Sequence, residues 1–242
     1  MIASNSAVYG GAVRCSDSDA VLTNCTIAAN SAEHGGIIDC ENSAPVLANC
    51  TVASNVTTSS NSAGIDCWAS QPTLNNCIIW DNGETPAKLA GGSDLYVTFS
   101  DFEDGWSGAG NIDEDPLFVD PENDDFHLSP DSPCIDAGDP AFVPSPGDAD
   151  LDGEYRVWDG DEDDVAIVDM GADEFGSYVF GDLNCDGAID NFDIRAFVLA
   201  ITDPEAYAER YPNCNAALGD LTGDGLVNNF DISPFIQLLS SP

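Results

Sequence analysis

Gly10–Ile27 reads GGAVRCSDSDAVLTNCTI, Gly35–Val52 reads GGIIDCENSAPVLANCTV, and Ala63–Ile79 reads AGIDCWASQPTLNNCII. The motif Cys-x9-Cys recurs in all three, as Cys15 with Cys25, Cys40 with Cys50 and Cys67 with Cys77, at shifts of 25 and then 27 residues. Outward from these segments, Ile27–Asn30, Val52–Asn55 and Ile79–Asn82 align, and the same register recovers Ile2–Asn5. A period in this range marks stacked units, each too small to bury a core of its own. Inside each unit, short β-branched runs are separated by Gly, Ser, Asn and Pro, a pattern that predicts three short strands joined by turns. Such a unit is one coil of a solenoid.

Parallel coils stack about 4.8 Å apart, so equivalent side chains form ladders. Leu22, Leu47 and Leu74 are expected in one apolar ladder, and Asn24, Asn49, Asn76 and Asn30, Asn55, Asn82 in two amide ladders at turns. Stacked asparagines hydrogen-bond from coil to coil. These columns resemble the right-handed parallel β-helix of secreted and surface proteins, the pectin-lyase-like architecture. The six cysteines read as small buried apolar residues, because three in a column cannot all pair. Neither CxxC nor a Cys/His zinc spacing occurs, and His34 and His127 lie far apart.

The expected organisation is residues 1–94 as the β-helix, 95–176 as an irregular β-rich capping segment, and 177–242 as a small helical domain built on a tandem repeat. In the middle segment seven prolines between Pro116 and Pro146 forbid long helices. VAIVDM and FHL there read as short strands. NIDEDPLFVDPENDDFHLSPDSPCIDAGDPA and DADLDGEYRVWDG resemble the closing segment of secreted β-helix proteins from environmental bacteria, which implies a cap over the solenoid end. Asp148, Asp150, Asp152, Gly153 and Asp159 occupy calcium-loop places 1, 3, 5, 6 and 12. Tyr155 at place 8 and Arg156 at place 9 instead favour an acidic turn. Asp159, Asp161, Asp163 and Asp164 read as a solvated acidic loop.

Forty-four acidic residues against five basic ones give a formal charge of −39. Nucleic acid and anionic membrane surfaces are excluded as partners, since both require clustered Lys and Arg. No apolar span approaches membrane length, and the N-terminus lacks the basic and apolar regions of a signal peptide. Because the repeat register places Met1 inside a coil, the sequence is read as N-terminally truncated, with its signal lost and an extracellular or cell-surface location.

Near the C-terminus, GDLNCDGAIDNFDIRAFVLAI from Gly181 and GDLTGDGLVNNFDISPFIQLL from Gly219 are identical at ten of twenty-one positions. Each contains D-x-[N/T]-x-D-G-x-[I/V]-[D/N]-x-x-D, which offers oxygens at loop places 1, 3, 5, 9 and 12, a carbonyl at 7 and a glycine turn at 6. A hard cation such as calcium is the implied ligand. Ile194, Phe197, Val198, Ile201 and Ile232, Phe235, Ile236, Leu239 follow at helical spacing, so each loop leads into one amphipathic helix. Ser233 before Pro234 predicts a cap and a delayed start for the second. Neither loop has a convincing entering helix. Cys185 and Cys214 are candidates for a bridge that sequence does not settle.

Tandem calcium loops, each followed by one helix and ending in Asp at place 12, resemble the type I dockerin domain over about residues 178–241. The resemblance implies two calcium sites, one from Asp182, Asn184, Asp186, the carbonyl of Ala188, Asp190 and Asp193. The other comprises Asp220, Thr222, Asp224, the carbonyl of Leu226, Asn228 and Asp231. It also implies a cohesin-like partner on a scaffold or cell-surface protein, met by Asn191, Phe192, Asn229 and Phe230 at loop places 10 and 11. Packing in a small core is the competing role for the two phenylalanines. The second loop carries three carboxylates against four and has Thr222 at place 3, so its site is expected to bind more weakly.

The function expected from sequence is therefore non-catalytic: a calcium-dependent docking module on an exported β-helix that serves as a structural or carbohydrate-binding surface. The alternative is a fragment of a polysaccharide lyase or glycoside hydrolase whose groove lies in further coils. No catalytic residue is assigned. Asp39 and Asp66 share a column, but Arg14 precedes them, and a charged pair on the solvent face accounts for them.

Overall fold

The computed structural model describes residues 1–59, 63–145, 148–161, 165–176, 178–212 and 214–240. Pro146, Asp163 and Asp164 lie outside the described residues. The chain divides into two compact units, Met1–Phe142 with Trp158–Phe175, and Val143–Val157 with Gly176–Pro242.

The first unit is a right-handed parallel β-solenoid of about four turns. Its coils carry four strand positions rather than the expected three. The first sheet stacks Ile2–Ala3, Thr26–Ala28, Thr51–Ala53, Ile78–Trp80 and Asp101–Phe102. The second stacks the two-residue strands Ser6–Ala7, Ser31–Ala32 and Val56–Thr57. The third stacks Val13–Ser16, Gly36–Glu41, Ala63–Trp68 and Ala87–Ala90, and the fourth Val21–Thr23, Val46–Ala48, Thr73–Asn75 and Tyr96–Thr98. Two residues are too few for alternation to show, which is why sequence pattern overlooked the second sheet. Pairing also continues through Phe102, beyond the periodic stretch. There the repeat shortens, with Ile78 opposite Asp101, and Leu89 replaces the cysteine of the third-sheet column.

The core follows from strand alternation. Inward-facing Ile27, Val52, Ile79 and Phe102 stack on one wall, and Leu47, Leu74 and Val97 on another, all buried. The asparagine ladder is continuous. Asn5 donates to Asn30 Oδ1, Asn30 to Asn55 Oδ1 and Asn55 to Asn82 Oδ1 at 2.7–3.1 Å. A serine ladder that the sequence reading missed runs through Ser18, Ser43, Ser70 and Ser93, each amide donating to the next hydroxyl at 2.9–3.1 Å. In the other expected amide ladder, Asn76 Nδ2 donates to Asn49 Oδ1 at 3.0 Å.

Three corners of each coil use left-handed backbone. Ser4, Ala29, Ser54 and Asp81 form one column; Asp17, Asn42 and Ala69 a second; Asn24, Asn49, Asn76 and Phe99 a third, all with φ of 49–59°. Asn and Asp tolerate this region best among residues with a Cβ, which explains their frequency at these places.

The middle segment covers more than an end. Residues 103–115 fold back on the last coil, where Phe102 N–H donates to the Ile112 carbonyl and Ser100 N–H to Asn111 Oδ1. Parts of residues 116–142 and 165–175 lie along the outer face of the first sheet. Phe126 and Phe118 of a small antiparallel hairpin, Phe118–Asp120 with Asp125–Leu128, pack on Ala28 and Ala53. Leu128, Cys134 and Met170 pack on Ile78, and Ala172 N–H donates to Thr51 Oγ1 at 3.0 Å. This covering explains why Thr26, Ile27 and Ala28 are all buried, whereas strands of the fourth sheet alternate.

Asp101 takes the place that Thr26, Thr51 and Ile78 hold in earlier coils, and it is buried beneath this covering. Its carboxyl accepts the Glu114 N–H at 3.3 Å and lies 3.5 Å from Cys134 Sγ. Burial pushes its pKa up to about 7, the Glu114 amide and Cys134 thiol oppose the rise, and Asp113 and Glu114 add to it. A carboxyl raised in the folded state stabilises the fold while protonated, so its contribution is present below about pH 4 and disappears as pH rises toward 7. About three pKa units correspond to a contribution on the order of 4 kcal/mol. Relative to the unmodified chain, Asp101→Asn should therefore gain melting temperature between pH 4 and 7; parallel melting curves would refute this.

The second unit contains the three α-helices of the described residues: α1 (Asp193–Thr202), α2 (Pro204–Arg210) and α3 (Ile232–Leu239). α2 was not anticipated, although Asp203 and Pro204 supply its cap and first residue, and Asp203 Oδ1 accepts the Ala206 N–H. A 3₁₀ turn, Ala216–Gly219, precedes the second loop. α3 starts at Ile232 without the expected delay, because Pro234 falls in the first turn, where a missing N–H leaves no helical bond unmade.

Candidate metal centre

The two loops are organised by the same internal hydrogen bonds at the same places. In the first, Asp182 accepts the amides of Asp186 and Gly187, Asp186 that of Ala188, and Asp190 that of Phe192, at 2.7–3.3 Å. Asp193 closes the loop by accepting from Leu183, Asn184 and Asp190 at 2.8–3.0 Å. In the second, Asp220 accepts from Asp224 and Gly225, Asp224 from Leu226, and Asn228 from Phe230. Asp231 accepts from Thr222 and Asn228 at 2.8–2.9 Å. Gly187 and Gly225 have φ of 84° and 82°, the turn that a glycine at place 6 supplies.

Both loops bury carboxylates. Asp182, Asp193 and Asp231 are fully inaccessible and Asp220 is 7% exposed. Burial holds the Asp193 carboxyl above the usual carboxylate range, against the lowering effect of the Asp190, Asn184 and Leu183 amides. In the first loop Asn184 Nδ2 donates to Asp186 Oδ2 at 2.9 Å, while Asn184 Oδ1 is buried without a hydrogen-bond partner. An acceptor removed from water and left unpaired is what a ligand oxygen looks like without its cation. In the second loop Thr222 Oγ1 donates to Asp231 Oδ1 at 3.0 Å. The donor set is all oxygen, which suits a hard cation. Among the described residues, the aspartates of neither loop form a trio with oxygens within 4.8 Å of one another.

A small core supports both loops. Phe197 of α1 and Phe235 of α3 stack with ring centroids 4.2 Å apart, and Tyr207 donates to the Leu183 carbonyl at 3.0 Å. Ala196 and Ala200 complete the buried face of α1. The expected apolar stripe is thereby corrected: Ile194, Val198, Ile232 and Ile236 point to solvent. The inward places are held instead by Ala196, Phe197 and Ala200 of α1 and by Phe235 of α3. Phe192 and Phe230 are 73% and 75% exposed, so they do not pack the core. The exposed triads Phe192, Ile194, Val198 and Phe230, Ile232, Ile236 occupy equivalent places in the repeat. Equality between the copies is the signal that helical periodicity alone misses. Asn191 and Asn229, the neighbours at place 10, are both exposed.

Cys185 and Cys214 are bridged, with Cα atoms 5.7 Å apart, which closes the alternative left open by sequence. The bridge ties the first loop to the segment before the second, 29 residues away. A loop of this size corresponds to about 3 to 4 kcal/mol in the chain-entropy description. Reduction should lower the melting temperature of the second unit, more steeply in EGTA than in calcium; an unchanged melt in EGTA would show the bridge to be dispensable.

Elsewhere, Asp150 Oδ1 accepts the Asp152 and Glu154 amides, Ala149 bridges Tyr155 antiparallel, and Arg156 is buried. This is a tight acidic turn. Asp136 accepts the amides of Gly160, Asp161 and Ile167, and its oxygens lie within 4.8 Å of those of Asp159 and Asp161. On the third sheet Arg14, Asp39, Asp66 and Lys88 form one column. Arg14 pairs with Asp39 at 3.4 Å and Lys88 with Asp66 at 3.5 Å. The two carboxylates therefore each face a base.

Residues 2–115 match the protein family described as a right handed beta helix region, a stretch that takes in the four coils and the fold-back after them. Comparison with curated proteins and with solved structures gives no match.

Proposed function

We propose that the chain is an exported, non-catalytic docking protein in which two calcium ions order a dockerin-like module for a cohesin-like partner, with the β-helix as a structural or carbohydrate-binding surface. The observation that carries this reading is the duplicated cage: equivalent carboxylates fixed by equivalent amides in two loops, one with a buried, unpartnered ligand oxygen. Asp182, Asn184, Asp186, the Ala188 carbonyl, Asp190 and Asp193 would hold the first ion. Asp220, Thr222, Asp224, the Leu226 carbonyl, Asn228 and Asp231 would hold the second. Calcium would neutralise carboxylates that otherwise repel one another and would fix the starts of α1 and α3.

With the cages set, the repeated triads beginning at Phe192 and Phe230, with Asn191 and Asn229 beside them, offer rigid aromatic and aliphatic contacts. A β-helix also suits a polysaccharide-degrading chain, but the acidic column available for it, Asp39 with Asp66, is accounted for by ion pairing with Arg14 and Lys88.

Calorimetric titration should give two calcium sites, the second weaker because it has one carboxylate fewer and a threonine at place 3. Equal affinities would remove that ranking, and no uptake would remove calcium altogether. Retention of the full chain by surface proteins bearing cohesin-like domains should be lost in EGTA; retention that ignores calcium would overturn the docking mechanism.

A further inference from the structure

Two columns of cysteine run through the solenoid core, and the calcium reading makes no use of them. In the register of the third sheet, Cys15 stacks on Cys40 and Cys40 on Cys67. Cys25, Cys50 and Cys77 precede the paired positions Thr26, Thr51 and Ile78 in the same way. All six remain thiols, and five are buried, with Cys25 half-buried. In the Cys25 column each thiol donates to the carbonyl two residues before it, Thr23, Ala48 and Asn75, at 3.1–3.3 Å.

Stacked coils hold equivalent residues about 4.8 Å apart. A metal bound linearly between two sulfurs, with bonds near the about 2.3 Å of zinc–thiolate, spans about 4.6 Å. The spacing of the fold thus matches a two-coordinate S–metal–S unit, and it is too narrow for a tetrahedral site drawn from one column. Charge selects further. No basic side chain lies among the residues of this core, so a bound ion must leave it neutral. A monovalent ion does so by exchange: one thiol loses its proton to water and forms a metal–thiolate bond, and the next thiol donates a sulfur lone pair with its proton retained. Thiolate and thiol sulfur are soft ligands, which favour ions of the Cu(I) class.

We propose that the Cys25–Cys50–Cys77 column is a binding site for a soft monovalent d10 cation, Cu(I) or Ag(I), held linearly between thiols of successive coils. Cys25, at the half-buried end, is the point of entry, and Cys50 serves both gaps. The Cys40–Cys67 step is a second site of the same kind. None of this depends on the calcium loops.

The test is a chloride-free titration of the full chain with Ag(I), with calcium saturating, followed by X-ray absorption at the silver edge. Uptake with two sulfur neighbours and one proton released per ion is expected, and Cys50→Ala should lose at least one equivalent while keeping its far-ultraviolet circular dichroism. Should Cys50→Ala not fold, Cys25→Ala at the half-buried end should show a loss or marked slowing of uptake in its place. No uptake, uptake unchanged in the folded variant, or oxygen neighbours around silver would overturn the proposal.

Discussion

Asp193→Ala should abolish calcium binding at the first loop and unfold the second unit at temperatures where the unmodified chain is intact. The side chain is fully buried and accepts three amides, from Leu183, Asn184 and Asp190. Alanine leaves those donors without partners in a dry site, each costing about 1 to 3 kcal/mol if unrelieved. Allowing for relaxation, a loss of about 3 to 5 kcal/mol is expected even without metal. Loss of a charged ligand should then weaken calcium by on the order of 100-fold or more. Asp193→Asn separates the two contributions, since Oδ1 can still accept from Leu183 and Asn184 while the charge is gone. Melting in calcium and in EGTA, with calorimetry, reads both. A melt and an affinity both unchanged in Asp193→Ala would refute the cage.

The second large effect belongs to the solenoid. Asn55→Ala should destabilise the first unit by about 4 kcal/mol, lowering its melting temperature by about 8 to 16 °C. Asn55 Nδ2 donates to the carbonyls of Ile27 and Ala53 and to Asn82 Oδ1, and its Oδ1 accepts both donors of Asn30. Alanine interrupts the ladder within its buried stretch. Asn5, at an exposed end of the same column, provides the contrast: Asn5→Ala should cost less than about 1 kcal/mol. Equal losses at the two positions would mean that the ladder contributes locally and not through burial.

What was legible in advance divides along physical lines. The coils were readable because a solenoid repeats its environment, so that Leu22, Leu47 and Leu74, or Asn30, Asn55 and Asn82, report the same place several times. Where repetition shortens, as from Ile78 to Asp101, a single copy carries too little signal, and the last coil went unread. The two duplicated aspartate loops were readable because their spacing is set by local backbone turns. Orientation of α1 and α3 was not, since whether Phe197 or Val198 faces inward depends on what the opposite helix brings, here Phe235. The covering of the first sheet was hidden for the same reason: Ala28 and Ala53 declare no partner until Phe126 is in place.

The three left-handed corners bear on how such a chain can change length. Each column of corners recurs at identical strand positions, whereas the connection between the second and third sheets varies, from three residues after Ala32 to five after Thr57. Length changes are absorbed there and at the connection from the third to the fourth sheet, four residues after Trp68 and five after Ala90, while the other two act as a fixed gauge. A tandem duplication of the 25 residues Thr26–Cys50 would hand every new side chain a partner of its own kind above and below. The gene can therefore grow or shrink by whole coils, and a homologous recombination event in frame with the gauge changes the reach of the molecule without redesigning any contact.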